Sequence, residues 1–496
     1  MNDDIFLESF LKNFPCSPSS SQREGMERLS AFVQGESLSR IFVMKGYAGT
    51  GKTTIIASLV KTIRDFKGVK GSSILMAPTG RAAKIMSQYS GEKAYTIHKQ
   101  IYALRTRKGG GISFTLKPNR SVNTLFIVDE ASMITDRNDN DSYGSLLDDL
   151  LSYVTSGRDC KLLLVGDTAQ LPPVGYSDSP ALDIRVLENN YGMPTEEIFL
   201  TDVYRQSEES MILHNATTLR KTLERDNLKK GDIKFRTGED FVRLRDGYDI
   251  QCAIEGATNS RRQSEAIIIT RSNRRAGLFN GQIRSRIKLH EGEIATGDLL
   301  MVVKNNYFWV DEDSPCGFIA NGDLAEVMAV RESGIIRYGM RFARVELKLV
   351  DYPQMSKFEA LVLLDTIYSE SAALSEAQSS AFYNEVMKDY EKLSMRRRHD
   401  ELSKNEYYNA IQVKFGYAVT CHKSQGGGWD NVFIEQVWLP DENLPKDYIR
   451  WLYTAITRAK EKVFMIGFTD DFFEENDGKK YHVHTCKRYA DRIEIE

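Results

Sequence analysis

Several features are scarce or missing in this 496-residue chain, and each absence narrows what it can be. No apolar run approaches the length of a transmembrane helix. The N-terminus, MNDDIFLESFLKNFP, carries acids where a secretory leader needs bases, so a cytoplasmic protein without membrane contact is expected. Six cysteines are scattered without paired spacing, as free thiols in a reducing compartment would be. Net charge is -3, so any nucleic-acid site must be a local groove and not a polycationic surface. Internal repeats, long low-complexity linkers and nuclease motifs are not found. Near the C-terminus His482, His484 and Cys486 alternate as a short strand would, with metal ligation as the competing reading.

What is present is ordinary globular composition, 41% apolar and 27% charged, over a length that calls for two to four domains. Five short motifs stand in order along it: GYAGTGKT (Gly46 to Thr53), IVDEAS (Ile127 to Ser132), VGDTAQLPP (Val165 to Pro173), TCHKSQGG (Thr420 to Gly427) and YTAITRAK (Tyr453 to Lys460). RIFVMKG, ending at Gly46, is a β-rich run, and Lys52 to Ile63 has helical composition. Strand, glycine loop and helix are the context of a phosphate-binding loop. Gly46 and Gly51 let the backbone curl so that its amides face the β-phosphate, and the helix N-terminus adds its dipole. Lys52 is then placed for the β- and γ-phosphates and the Thr53 hydroxyl for Mg²⁺. Gly49 and Thr54 belong to the same expected ATP site.

TLFIVDE (Thr124 to Glu130) reads as a buried strand ending in two carboxylates. Asp129 suits the water shell of Mg²⁺, and Glu130 suits polarisation of an attacking water. KLLLVGD (Lys161 to Asp167) and SILMAP (Ser73 to Pro78) read as two more strands with polar C-terminal ends, the edge at which parallel α/β sheets bind ligands. Gln170, three residues past Asp167, is placed to touch the γ-phosphate and a moving neighbour. In the C-terminal motifs, Thr420, His422 and Ser424 form a polar segment suited to sequence-indifferent phosphate contact. Arg458 sits among small and apolar residues, a poor place for an idle guanidinium. Gln425 and Gly426 complete the expected nucleotide contacts.

Together these residues resemble a superfamily 1 helicase, of the 1B branch that holds the RecD, Dda and Pif-type DNA helicases. The similarity runs in order from Gln22 to Lys460 and includes APTGRAAK (Ala77 to Lys84), YTIHKQ (Tyr95 to Gln100), LTDVYRQ (Leu200 to Gln206), ITRSNRRAGLFN (Ile269 to Asn280) and GDLLMVVKNNY (Gly297 to Tyr307). It implies an α/β fold of two RecA-like P-loop domains with a β-hairpin insertion and a small mixed barrel and helical insertion. The boundaries expected are 1-190 for domain 1A, with 103-121 as the hairpin (1B), 191-333 with 409-496 for domain 2A, and 334-408 for insertion 2B. The resemblance implies that Gln22 reads adenine, Tyr204 stacks on it and Arg205 touches the γ-phosphate. Arg458 would reach that phosphate from the second domain. DNA would pass the Thr79, His98, Thr420 and His422 neighbourhoods, and Phe114 would be a wedge on the hairpin, or a loop anchor.

The implied activity is ATP- and Mg²⁺-dependent 5′-to-3′ movement on single-stranded DNA with unwinding at single-strand/duplex junctions, by a stand-alone, monomeric motor. Rival readings are a translocase that strips proteins without unwinding, an RNA helicase and a nucleotide-switched binding module. One departure from the family pattern is GGG at Gly426 to Gly428, where many relatives carry a small hydroxyl residue after the first glycine. Tyr307, Phe308 and Trp309 read as base-stacking or packing aromatics, and RRRH (Arg396 to His399) as a solvated face or a DNA contact.

Overall fold

In the computed structural model, residues 3–66, 71–106, 112–137, 145–202, 210–258, 265–311, 314–436 and 444–474 are described. They form two compact units that divide between residues 209 and 210.

The first unit is built on six parallel strands. In spatial order they are Ala94–Thr96, Ser72–Ala77, Thr124–Val128, Lys161–Gly166, Ile41–Gly46 and Thr195–Leu200. Strand Ile41–Gly46 shows why both faces must be covered. Phe42 and Met44 enter one core and Ile41 and Val43 the other, following the two-residue repeat of a strand. Helix Lys52–Asp65 buries Ile55, Ile56, Leu59, Val60 and Ile63, a stripe at helical spacing, against the first of these cores. Phe6, Phe10 and Phe14, one helical turn apart in sequence, join the same core from the N-terminal segment.

Thr195–Leu200 lies past the boundary expected at 190, yet it pairs along Ile41–Gly46, with Leu200 opposite Gly46. It therefore belongs to the first unit. A separate hairpin joins Tyr102–Thr106 to Ile112–Leu116, with Leu104 opposite Phe114. Its tip and the side chain of Phe114 lie outside the described residues.

The second unit holds five parallel strands in the order Ala418–Thr420, Ala266–Thr270, Trp429–Glu435, Ala459–Ile466 and Phe241–Leu244. Joined to it is a closed barrel of Leu299–Val302, Leu324–Arg337, Met340–Leu349, Phe358–Leu363 and Ile411–Phe415. The barrel therefore extends beyond the expected 334–408 interval at both ends. Closure needs Leu299–Val302 paired with Ile411–Phe415, and that pairing joins residues more than a hundred positions apart. Helices Glu376–Lys388 and Met395–Lys404 are inserted before the last barrel strand. Phe382, Val386 and Leu402 from these helices share a small core with barrel residues Phe342, Leu361 and Leu363.

A fully buried Asp298 ties the start of the barrel to the helical segment Ile283–Ile287. It takes both arms of Arg284 at 2.9 and 3.0 Å and the backbone N–H of Ala295 at 2.7 Å. A bidentate pair of this kind is costly to break from one side.

The aromatic triplet is mainly structural. Tyr307 stacks on Phe318, and the Trp309 indole donates to Asn409 O at 2.8 Å. In RRRH, His399 is buried and Arg398 donates to Leu393 O at 2.9 Å. Among the described residues, Cys16, Cys160, Cys316 and Cys421 are free thiols. His482, His484 and Cys486 fall outside the described residues. Among the described residues no helix is long and apolar enough to cross a membrane.

Candidate nucleotide site and strand-binding residues

The glycine loop leaves strand Ile41–Gly46 and enters helix Lys52–Asp65 through two left-handed residues, Gly49 (φ +80°) and Gly51 (φ +84°). A Cβ on Gly46 would stand 2.7 Å from Thr50 Oγ1, and one on Gly51 would stand 2.5 Å from Gln22 Nε2. Lys52 Nζ donates to Gly46 O at 2.7 Å and to Tyr47 O at 2.8 Å, so its ammonium lies inside the curl of the loop. Thr53 is exposed on the first turn of the helix, and Thr54 is partly buried beside it.

Gln22 is buried, and both ends of its amide are held. Oε1 accepts from Ser19 N at 2.9 Å, closing a capping box, and Nε2 donates to Thr50 O at 3.0 Å. The residue expected to read adenine is thus tied to the loop backbone. Asp202, at the end of the neighbouring edge strand, accepts from Ser21 N at 3.0 Å and Ser21 Oγ at 2.8 Å. Those two hydrogen bonds hold its carboxyl below the usual range, the backbone one foremost.

Asp129 and Glu130 follow strand Thr124–Val128 at the same sheet edge. Glu130 adopts φ +53°, an uncommon conformation for a residue with a side chain, and its N–H donates to Asp129 Oδ1 at 2.8 Å. Tyr89, from helix Gly80–Ser90, donates its hydroxyl to Asp129 Oδ2 at 2.8 Å. Burial pushes the Asp129 carboxyl above the carboxylate range, and the charge of Glu130 pushes it further. The Tyr89 hydroxyl, the Glu130 N–H and the charge of Lys52 pull it back. The phosphate loop and the acidic pair leave the same edge of one parallel sheet, a single strand apart. The two adjacent carboxylates, and the Thr53 hydroxyl on the first turn of the loop's helix, are hard oxygen donors of the kind Mg²⁺ takes.

Gln170 is buried in the same unit, and its Oε1 finds no hydrogen-bond partner among the described residues. A buried acceptor left open in this way favours a ligand or a moving donor. Tyr204 and Arg205 lie outside the described residues. Thr79 and His98 each sit two positions beyond the paired ends of neighbouring strands, where Ala77 faces Thr96. Both are half-buried at one sheet edge, and the Thr79 hydroxyl also caps its helix by accepting from Ala82 N at 3.2 Å.

The second unit carries Thr420, His422, Gln425, Gly426 and Arg458. Thr420 is half-buried and His422 exposed around the short helix Cys421–Ser424. Gln425 is buried, and Gly426 takes φ +69°. Arg458 is 6% exposed and donates to Thr454 O and Gly427 O, both at 3.2 Å. The family departure at Gly427 has a steric cause. A Cβ there would stand 2.5 Å from Cη2 and 2.8 Å from Cζ3 of the buried Trp429 ring. The chain has an indole where a hydroxyl-bearing neighbour would need room. Tyr89, Asp202 and Trp429 are the site residues that motif reading missed. None carries a local pattern that would have marked it.

Comparison with known proteins finds relatives that share these segments. The profile described as an AAA domain matches residues 19–234, and that of the UvrD-like helicase C-terminal domain matches residues 415–466. The ATP-dependent RecD2 DNA helicase of Deinococcus radiodurans is 27% identical over 440 residues, covering 86% of this chain and 47% of that protein. The chain thus spans about half the length of that relative. The ATP-dependent DNA helicase dda of Enterobacteria phage T4 is 32% identical over 140 residues, 28% of this chain and 29% of its own. Among solved structures, a Pif1 helicase from Bacteroides in complex with ADP-AlF3 and ssDNA aligns at 15% identity with a TM-score of 0.47, covering 91% of this chain and 94% of that one. The phosphate loop, the acidic strand end and the C-terminal motifs each fall in a matched segment, and over those segments the chain is similar to superfamily 1 helicases of the RecD-like kind.

Proposed function

We propose that the chain is an ATP-driven motor that moves 5′ to 3′ on single-stranded DNA and unwinds duplex at junctions. The observation that carries this reading is one sheet edge of the first unit, where the phosphate loop bearing Lys52 and the strand end bearing Asp129 and Glu130 stand a single strand apart. Lys52 leaves its backbone carbonyls to meet the β- and γ-phosphates, while the amides that follow Gly49 and Gly51 cradle the β-phosphate. Gly46 lets the loop lie close. Glu130, held aloft by its left-handed backbone, takes the proton of the attacking water. Thr53 and Asp129 would hold Mg²⁺, which when bound neutralises phosphate charge. Gln170 offers its open Oε1 to the water or to a neighbouring donor.

Gln22 and Tyr204 hold the adenine, with Thr54, Gln425 and Gly426 completing the nucleotide contacts. Arg205 and Arg458 stabilise charge on the γ-phosphoryl group; in trans-acting cases such an arginine contributes roughly 10³–10⁵ in rate. Arg458 now bonds two neutral carbonyls, which an anionic phosphate outcompetes.

The first unit is assigned as domain 1A with the hairpin as 1B, and the second as 2A with the barrel and its helices as 2B. Thr79 and His98 on one unit and Thr420 and His422 on the other contact the strand through phosphates, and Phe114 on the hairpin meets the duplex. The motor works as a cytoplasmic monomer. The deciding experiment measures ATP turnover with and without single-stranded DNA or RNA, then unwinding of 5′-tailed and 3′-tailed duplexes. DNA-stimulated turnover with unwinding of the 5′-tailed substrate is expected. Turnover indifferent to nucleic acid would overturn the motor, and unwinding from the 3′ tail alone would overturn the polarity.

A further inference from the structure

Among the described residues, hairpin strands Tyr102–Thr106 and Ile112–Leu116 pair only with each other, so no third strand supports them. A lone two-stranded hairpin is marginally stable in water and needs a surface to pack on. Helix Leu146–Ser156 helps to supply that surface. Its Leu147, Leu150, Leu151 and Val154 are buried in the core that also takes the buried Tyr102. Leu116, opposite Tyr102 in the hairpin, packs against the same core.

Hydrogen bonds then fix both legs of the hairpin to this helix. On the outgoing leg the Tyr102 hydroxyl donates to Asp149 Oδ2 at 2.7 Å, and Gln100 Nε2 donates to Tyr153 Oη at 3.2 Å. On the return leg Asn119 Nδ2 donates to Tyr153 O at 2.9 Å. The legs are also tied to each other at the root, where Lys117 N donates to Ile101 O and Lys117 Nζ to Lys99 O, both at 2.7 Å. The bond from Tyr102 ends on a carboxylate, which makes it the strongest type in this set. It also starts from the first residue of the hairpin strand, where any tilt of the hairpin must pivot.

We propose that helix Leu146–Ser156 is a brace for the hairpin, and that Tyr102 and Asp149 are positioning residues that keep the hairpin stiff enough to part a duplex. This role rests on the reading of the hairpin as the element that meets the duplex, and it adds what carries the load. A wedge pushed at its tip is resisted at its root. Two strands with no neighbouring sheet resist little by themselves, so the stiffness comes from the helix that both legs grip. Movement along a single strand makes no such demand, so the brace matters to strand separation and not to ATP turnover.

The test compares the full-length wild type with Tyr102→Phe, Asp149→Ala and the double variant. Three quantities are read: hydrogen–deuterium exchange of the hairpin peptides, unwinding of a 5′-tailed duplex, and DNA-stimulated ATPase. Phenylalanine keeps the buried ring, which stands 5.5 Å from that of His98, and removes only the hydroxyl. Hairpin exchange should quicken by roughly threefold to tenfold in each single variant, the worth of one hydrogen bond, with the six-stranded sheet unchanged. Unwinding should fall several-fold while DNA-stimulated turnover keeps the wild-type rate. The double variant should be no worse than the weaker single one, because both changes remove the same bond. Unchanged hairpin exchange in both single variants would overturn the brace. Faster exchange with normal unwinding would overturn its load-bearing role. Turnover that falls in step with unwinding would also overturn it, since damage to the fold or to strand binding would then suffice. The wedge reading fails by a different result: if the protein with a shortened hairpin unwinds at the wild-type rate, the hairpin parts nothing and the brace has no load to carry.

Discussion

Gly427→Ser isolates the packing that seats Arg458. The added Cβ would meet Cη2 and Cζ3 of Trp429 at 2.5 and 2.8 Å, about 1 Å inside ordinary contact. Trp429 is 1% exposed and its ring has no free end to swing away. Overpacking of this kind costs about 1–3 kcal/mol. At about 2–4 °C per kcal/mol for a domain of this size, melting should fall by about 2–12 °C. The shift should also move Gly427 O, which accepts from Arg458, so ATP turnover should drop with little change in KM. Thermal melting and steady-state ATPase give both readings. Trp429→Leu removes the ring, so Gly427→Ser added to Trp429→Leu should cost far less than on the wild type. The coupling in that cycle should be about 1–3 kcal/mol. A serine variant that melts with the wild type, or a double variant whose losses simply add, would refute the steric account.

Other outcomes follow from the nucleotide site and the hairpin. Lys52→Ala should abolish ATP turnover. Glu130→Gln should keep ATP binding by calorimetry yet lose roughly 10²–10⁴ in turnover, and a wild-type rate would remove Glu130 from its role. Tyr89→Phe keeps the ring but deletes the donor to Asp129. At about 0.5–1.5 kcal/mol for the missing hydrogen bond, turnover should fall up to about tenfold with ATP affinity little changed, and an unaltered kcat would show that the hydroxyl positions nothing. Arg458→Lys keeps the charge but loses the planar fork, so turnover should fall sharply while nucleotide affinity stays near that of the wild type. Shortening the Arg107 to Pro118 segment should spare DNA-stimulated ATPase and abolish strand separation; normal unwinding would place the wedge elsewhere.

The parts legible in the sequence are those written locally. The phosphate loop is a strand, a glycine turn and a helix within about twenty-five residues, and the structure has each of them. Buried strands such as Thr124–Val128 announce themselves as apolar runs with polar ends. The last motif, Tyr453 to Lys460, runs from the end of helix Lys446–Ile456 into strand Ala459–Ile466. The barrel was only half legible. The alternation over Met340–Leu349 is visible, because one face of that strand is buried. Leu299–Val302 is buried throughout and reads as any core run, so nothing local tells that it closes a barrel with Ile411–Phe415. The strand Thr195–Leu200 was misplaced for the same reason, since its membership of the first sheet is set by pairing with Ile41–Gly46 and not by its neighbours in sequence.

The site divides along the same line. Lys52, Asp129 and Glu130 were readable because their chemistry is carried by residue type at fixed spacing. Tyr89 was not, since its hydroxyl matters only because helix Gly80–Ser90 brings it to a carboxylate forty residues on. Gly427 shows why such cases escape a reading made position by position. Taken alone, the glycine is a missing hydroxyl. Beside Trp429 it is the condition for burying an indole whose backbone N–H holds Arg458 O at 2.9 Å, while Gly427 O holds the guanidinium of the same residue. Restoring the family's hydroxyl would thus disturb both hydrogen bonds at once, so the two positions must change together for the arginine to keep its place.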